Sequence, residues 1–215
     1  AARHLEVQIL GDGQGGVTQL AERECTLQRR NQKLIEIAPS PALSDADRAR
    51  IAGWAVEMAR SGDYRSLGTF EFLMDAATGD IFFIEANPRI QVEHTVTEEI
   101  FGLDLVRLQL GVAEGRRLSD LGAAQDQLPA PRGFALQARV NMERMDAKGN
   151  ARPSGGTLTA YEQPAGAGIR VDGFAYAGYR TSAAFDSLLA KVVVHSPLPD
   201  FAATLAKADR ALKEF

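Results

Sequence analysis

Two stretches of this chain read as strand, tight turn, strand, and that pattern constrains the fold more than any other feature. SLGTFEFLM (66–74) runs through DAATGD into IFFIEA (81–86), and LEVQIL (5–10) runs through GDGQGG into VTQLAER (17–23). Strands joined by turns this short pair antiparallel. Gly11, Gly13 and Gly16 also match the spacing G-x-G-x-x-G. That phosphate cradle needs a helix directly after the glycines, so that a helix N-terminus meets the anion. VTQLAER has strand character instead, so a hairpin turn is expected, with Gly and Asp supplying positive φ.

Helices punctuate the strands. Residues 43 to 62 carry a Ser44/Asp47 capping pattern, and Ile51, Trp54, Ala55, Met58 and Ala59 keep helical spacing on one face expected to be core. Gly62 supplies the stop. A second helix is expected over 97–113, with Thr97 as cap, Glu98 and Glu99 at its positive end and Gly102 interrupting it. EGRRLSDLGAAQDQLPAPR (114–132) has little periodicity and two prolines, which places a domain boundary between 1–122 and 130–215. FALQARVNM (134–142), TLTAYEQP (157–164), GIRVDGF (168–174) and LLAKVVVH (188–195) read as strands. The last stretch is an amphipathic helix with Phe201, Leu205, Ala208 and Leu212 expected inward. The fold class is α+β, mostly antiparallel, in two parts. Of the 215 residues, 45% are hydrophobic and 24% charged, an ordinary globular balance. A net charge of −4 gives no sign of a nucleic-acid partner, and no run approaches 18 apolar residues, so no membrane span is expected. One cysteine, Cys25, rules out an internal disulfide and is expected to be a small buried side chain. The chain opens without Met and already in strand-like alternation, and so reads as a piece of a longer polypeptide.

The chemistry concentrates in FIEANPRIQVEHTVTE (83–98). With a period of two, Ile84, Ala86, Ile90 and Val92 fall on one side, and Glu85, Asn87, Arg89, Gln91 and Glu93 on the other. If the 66–86 hairpin is symmetric about residue 78, Glu71 lies opposite Glu85 with Asn87 on the same face. Like charges directly opposite destabilise a sheet, so something positive must offset them. A hard divalent cation would do so, with Mg²⁺ taking carboxylate oxygens and completing its shell with water and phosphate. Spacing alone leaves a second reading open, in which the glutamates are solvated and neutralised by Arg89 or a lysine. Pro88 cannot donate to a ladder, so regular pairing should end there. Arg89 offers a planar fork for a carboxylate, bicarbonate or phosphate, and Glu93 is free to act as a base. These two could equally form a structural ion pair.

The same residues resemble a family. EANPRIQVEHTVTE is similar to the signature of the biotin carboxylases of the ATP-grasp superfamily. EVQILGDGQGG with LAERECTLQRRNQKLIEIAPSP resembles the segment preceding it, and GTFEFLMD resembles the first metal-ligand strand. ARVNMER, RPSGGTLT, GIRVDGFAYAG and AFDSLLAKVVVH are similar to the family's C-terminal domain. The likeness runs in order over nearly the whole chain. It implies the C-terminal part of an ATP-grasp domain followed by a mixed α/β biotin carboxylase C-terminal domain, slightly truncated. It also implies a reaction in which ATP activates bicarbonate as carboxyphosphate, and the carboxyl group moves to N1 of biotin on a carrier domain outside this chain. By matched position, Glu71, Glu85 and Asn87 would bind Mg²⁺ (or Mn²⁺). Glu93 would be the base, and Arg89, Lys33, Gln91 and the Val92 backbone would hold bicarbonate. Arg139 would stabilise the enolate-like form of biotin. His4, Gln28 and Asn31 would lie along the ATP site together with Glu71 and Glu85. Asn31 stands where the family often has His, and it can hydrogen-bond but carry no charge.

Physical chemistry makes these roles reasonable. Bicarbonate is a poor nucleophile until it is held and deprotonated, and a carboxylate beside Arg and Lys is ordinarily ionised and ready for a proton. An arginine facing a developing ureido oxyanion stabilises charge that appears only during reaction. The implied parent is a cytoplasmic acyl-CoA, pyruvate or urea carboxylase. Its partners would be a biotin carboxyl carrier domain and a carboxyltransferase domain or subunit, and it would commonly be a homodimer. The family's glycine-rich lid and adenine-contacting segment lie outside these residues, so the fragment alone is expected to be inactive. Two other readings remain: an ATP-grasp ligase of the carbamoyl-phosphate synthetase kind, and a non-catalytic scaffold.

Overall fold

The computed structural model describes every residue except Ala183 and Phe185. The latter belongs to AFDSLLAKVVVH and so lies outside the described residues. The chain begins with a meander of β1 (Ala2–Asp12), β2 (Val17–Arg29) and β3 (Gln32–Ala38). Helix α1 (Asp45–Ser61) leads to the hairpin β4 (Arg65–Asp75) and β5 (Ile81–Asn87), then to α2 (His94–Phe101) and α3 (Leu105–Ala113). A short 3₁₀ turn at Ser119–Leu121 precedes the second part. That part comprises β6 (Phe134–Asn141), β7 (Glu143–Met145), β8 (Ala151–Pro153), β9 (Gly156–Thr157), β10 (Ile169–Gly173), β11 (Arg180–Thr181), β12 (Leu188–Ser196) and α4 (Phe201–Glu214).

One eight-stranded sheet runs in the order β10-β12-β6-β3-β2-β1-β4-β5, antiparallel at every step. Two small ribbons, β11-β9 and β7-β8, stand beside it. The two parts of the chain meet within the sheet, where β3 pairs with β6 from Ile35↔Ala138 to Ala38↔Ala135. Side-chain alternation then sorts the layers. Leu5, Val7 and Ile9 turn toward Ile51, Ala55 and Ala59 of α1. Ile37, Leu136 and Val192 turn toward Ala208 and Ala211 of α4. Cross-strand pairs Leu5↔Glu24 and Glu24↔Ile37 put both sets on one face. On the opposite face Leu10, Leu20, Ala135 and Val193 bury against Val96, Ile100 and Leu105 of α2 and α3.

The loop GDGQGG is a hairpin turn. Gly13 sits at φ +67, the Asp12 N–H bonds the Gly16 carbonyl at 3.0 Å, and a strand follows. Ser44 caps α1 by accepting from the Asp47 N–H at 3.1 Å. Cys25 is fully buried, and burial pushes its thiol pKa up. Among the described residues no helix is long and apolar enough to cross a membrane.

Several local expectations need correction. The expected 97–113 helix is two helices. The first begins at His94, so Thr97 lies buried inside it, and it ends on Gly102 at φ +67. The second is capped by Asp104, which accepts from the Arg107 N–H at 2.8 Å. TLTAYEQP is not a strand beyond Thr157. Leu205 and Leu212 of α4 stay 44% and 43% exposed, and the buried positions are Thr204, Ala208 and Ala211. Small residues there let the helix approach the sheet closely. Trp54 of α1 lies at the margin, against Phe72 with ring centroids 6.3 Å apart.

Candidate active site

β5 ends at Asn87, one residue before Pro88, as a missing ladder donor requires. The period-two reading therefore holds only to Asn87. Beyond it, Arg89, Gln91 and Val92 lie on an irregular segment, and Glu93 is the residue that precedes α2. Ile84, expected on a greasy side, is 43% exposed on the sheet edge. The segment nevertheless folds back over the sheet. His4 (β1), Gln28 (β2), Lys33 (β3), Glu71 (β4) and Arg139 (β6) share with it the wall of one cavity of about 600 Å³. Glu85, Asn87, Arg89, Gln91, Val92 and Glu93 line the same cavity, as does Asn31 from the turn between β2 and β3. Arg30 and Asn31 have φ of +51 and +64. Asn accepts this left-handed geometry more readily than most side chains, which is a structural reason for its presence.

Glu71 pairs directly with Glu85 across the hairpin. Asn87 Nδ2 donates to Glu71 Oε1 at 2.8 Å and to Glu85 Oε1 at 2.9 Å, so both carboxylates converge on one neighbour. Glu71 is 5% exposed, whereas Glu85 stands at the rim. His4 Nε2 lies 2.6 Å from Glu71 Oε2, and Gln28 Nε2 reaches His4 Nδ1 at 2.7 Å. The Gln28 amide thereby leaves Nε2 as the nitrogen that donates to Glu71. Gln91 Nε2 donates to Glu71 Oε1 at 2.7 Å. Burial alone would raise the Glu71 pKa, but His4, Lys33 and Gln91 bring it down to about 2.

Among the described residues Glu93 does not pair with Arg89, whose Nη1 donates to the Ile90 carbonyl at 3.3 Å. Instead Lys33 Nζ lies 2.5 Å from Glu93 Oε1, and Arg139 Nη2 lies 3.1 Å from Glu93 Oε2. The Lys33 ammonium also meets Glu6 Oε2 at 2.5 Å and Glu71 Oε1 at 3.6 Å. Burial works against its charge, yet Glu6 above all raises its pKa and keeps it protonated. Three carboxylates thus surround one lysine, with Arg139 at the far side.

A buried polar layer stands behind these groups, and reasoning from sequence missed it. Arg23 is fully buried and donates to Glu6 Oε1 (2.7 Å), Gln8 Oε1 (2.7 Å), Thr97 Oγ1 (3.0 Å), Thr69 Oγ1 (3.1 Å) and Gln91 Oε1 (3.3 Å). Its hold on the Gln91 oxygen fixes that amide with its NH₂ toward Glu71. Glu36, also fully buried, accepts from Arg139 Nε at 2.6 Å and from Gln137 Nε2 at 2.9 Å. Burial, reinforced by the Glu93 charge, outweighs the Arg139 attraction and raises the Glu36 pKa to about 7. His4, Glu6 and Glu71 lie close enough to share a metal, as do Glu6, Cys25 and Glu93. Glu6 is held in both groups by Arg23 and Lys33, so neither group is open.

Residues 1–121 match the family described as carbamoyl-phosphate synthase L chain, ATP binding domain, which sets the class: an ATP-grasp domain. Residues 137–215 match the biotin carboxylase C-terminal domain. The chain belongs to the biotin carboxylase family. It is 43% identical over 212 residues to the biotin carboxylase of Nostoc sp., covering 99% of this chain and 45% of that protein. It is 45% identical over 214 residues to pyruvate carboxylase 1 of Caenorhabditis elegans, covering 99% of this chain and 18% of that protein. The structure of the biotin carboxylase domain dimer of Hydrogenobacter thermophilus 2-oxoglutarate carboxylase, in complex with MgADP, ADP and bicarbonate, superposes with a TM-score of 0.90 at 42% identity. That match covers 99% of this chain and 45% of the other. The chain therefore spans less than half the length of the curated relatives it matches.

Proposed function

We propose that this chain is the part of a biotin carboxylase that carries the bicarbonate site, most of the metal ligands and the biotin-facing arginine. The observation that carries the reading is the convergence of Glu71, Glu85 and Asn87 beside the Lys33–Glu93–Arg139 cluster in one cavity. The Glu71 and Glu85 carboxylate oxygens, facing one neighbour with the Asn87 amide beside them, fit Mg²⁺ or Mn²⁺. Held by Glu71, Glu85 and Asn87, the cation would neutralise negative charge during phosphoryl transfer. His4, Gln28 and Asn31 lie along the ATP side of the cavity. Arg89, Lys33, Gln91 and the Val92 N–H hold bicarbonate, and Glu93 takes its proton. The bicarbonate oxygen then attacks the γ-phosphoryl group of ATP, giving carboxyphosphate and ADP. Arg139 stabilises the oxyanion of deprotonated biotin as its N1 takes the carboxyl group and phosphate leaves.

We further propose the functional division suggested by the sequence, with 1–122 supplying the metal and bicarbonate groups and 130–215 bringing Arg139. In the full-length protein the partners would be a biotin carrier domain, a carboxyltransferase and a second copy of the chain, with ATP and bicarbonate drawn from the cytoplasm. Bicarbonate-dependent ATP cleavage with free biotin tests the reading. Glu93→Gln or Arg139→Gln in the full-length protein is expected to lower biotin carboxylation by about 10²-fold or more. Near-normal turnover in either variant would overturn the assignment. Ammonia-dependent turnover without biotin would instead mark a carbamoyl-phosphate synthetase.

A further inference from the structure

His94 and Lys191 stand behind the segment that carries Gln91, Val92 and Glu93, and the proposed chemistry gives them no role. The Gln91 carbonyl accepts from the His94 backbone N–H at 3.2 Å, and His94 Nδ1 lies 2.8 Å from the same oxygen. Only a protonated Nδ1 can bond a carbonyl, so this contact fixes the tautomer. Burial lowers the His94 pKa and keeps the ring neutral. One residue on, the Val92 carbonyl accepts from Lys191 Nζ at 3.0 Å. Lys191 comes from β12, in the second part of the chain, and Asp172 of β10 steadies its ammonium at 3.4 Å. The His94 and Lys191 side chains are 14% and 10% exposed, so both anchors are largely shielded from water.

Peptide geometry turns these anchors into an aiming device. The bond between Gln91 and Val92 is trans. In a trans peptide the N–H points opposite to the C=O. Drawing the Gln91 carbonyl back onto His94 therefore turns the Val92 N–H the other way, toward the cavity that Val92 lines. Lys191 fixes the following peptide, so the Val92 backbone is held from both sides. A donor fixed before the anion arrives costs no reorganisation when it binds.

We propose that His94 and Lys191 are positioning residues that clamp the carbonyls of Gln91 and Val92 and so aim the Val92 N–H at bicarbonate. This inference rests on the bicarbonate reading of the cavity. Its consequence is specific, because the donors of the clamp go to the Gln91 and Val92 carbonyls and to no nucleotide-side residue, and Lys191 neighbours Arg139 only as its cross-strand partner in β12 and β6.

The experiment is steady-state kinetics on the full-length protein carrying Lys191→Met, His94→Phe, Lys191→Arg or His94→Asn. Lys191→Met and His94→Phe are expected to raise the KM for bicarbonate about tenfold or more, since each removes a largely buried hydrogen bond. The KM for MgATP should stay within about twofold, because no nucleotide-side contact changes. His94→Asn and Lys191→Arg retain a donor and should recover most of the bicarbonate KM. Lys191→Ala, shorter and without a donor, replaces Lys191→Met if the latter does not fold. A wild-type bicarbonate KM in the folded Phe and Met variants overturns the inference, as does a loss that only tracks the folded fraction. A wild-type protein without bicarbonate-dependent ATP cleavage overturns the functional reading and this inference together, so that control separates the two failures.

Discussion

Glu36 and Glu71 are both buried carboxylates at the site, yet their surroundings push them in opposite directions. Glu71 collects donors from His4, Gln91 and Asn87, and its pKa falls to about 2. Its folded pKa is depressed, so its stabilisation is present above the ordinary carboxylate pKa of 4.5 and is lost as pH falls toward 2. Glu36 has Arg139 and Gln137 but also burial and the Glu93 charge, and its pKa rises to about 7. The folded state therefore holds a proton on Glu36 that the unfolded chain releases between pH 4.5 and 7. Its contribution is fully present below 4.5 and is lost as pH rises to 7. Glu36→Gln should remove this dependence. Measured by urea unfolding, the stability of the variant relative to wild type is expected to climb between pH 4.5 and 7 and then level off. A flat difference across that window would show that Glu36 is ionised throughout. The front of the site was legible at this scale because Glu71, Glu85 and Asn87 share a parity along one hairpin. The back was not. Glu6 and Glu36 alternate with apolar neighbours, and Arg23 stands between two glutamates, just as residues of a solvated strand face do. What distinguishes them is a helix laid over that face, and it comes from residues 94–101.

At the scale of elements, two devices set where α2 and α3 lie. Gly102 closes α2 in the left-handed conformation, and its N–H bonds the Glu98 carbonyl at 2.7 Å. Asp104 opens α3 two residues later. A Cβ at position 102 would have room, its nearest neighbour being Arg132 Nη2 at 3.6 Å. The cost of Gly102→Ala is therefore conformational, and about 1 kcal/mol is expected. A urea midpoint shift of matching size checks it, while a neutral result would mean that the chain relaxes out of the left-handed turn. Both signals were present in the sequence. Helical spacing simply continues across Gly102, and periodicity does not register a change of axis. Strand β3 was overlooked for a different reason. QKLIEIA places Lys33 and Glu36 inside a short run that ends at a proline, which reads as a connector. It pairs with β2 across the two-residue turn at Arg30 and Asn31 and, on its other edge, with β6, whose Gln137 lies opposite Glu36 from a hundred residues away. The other two hairpins were readable because GDGQGG and DAATGD carry the glycines of a turn, which Arg30–Asn31 lacks.

Across the whole molecule, the β3–β6 pairing determines how the site can be lost. The sheet does not stop between residues 1–122 and 130–215, and α2 packs on β2 and β3 of the first part and on β6 and β12 of the second. One core cluster holds Leu10, Leu20 and Leu67 from the first part with Ala135 and Val193 from the second. Separating the parts would expose that cluster and would also strip the Arg139–Glu93, Arg139–Glu36 and Lys191–Val92 contacts. Buried charges without partners cost several kcal/mol each, which makes a half-folded state unfavourable. The expected outcome is one cooperative transition. Trp54, the single tryptophan, reports on α1 in the first part through its fluorescence. Hydrogen exchange reports separately on the amides of β6 and β12. In a urea series the Trp54 midpoint and the loss of protection in β6 and β12 should coincide, with β1 and β4 amides exchanging through the same opening. Earlier release of β6 and β12, with Trp54 still native, would mean that the sheet joint is weak and that Arg139 can leave the site while Glu71 and Glu85 stay in place.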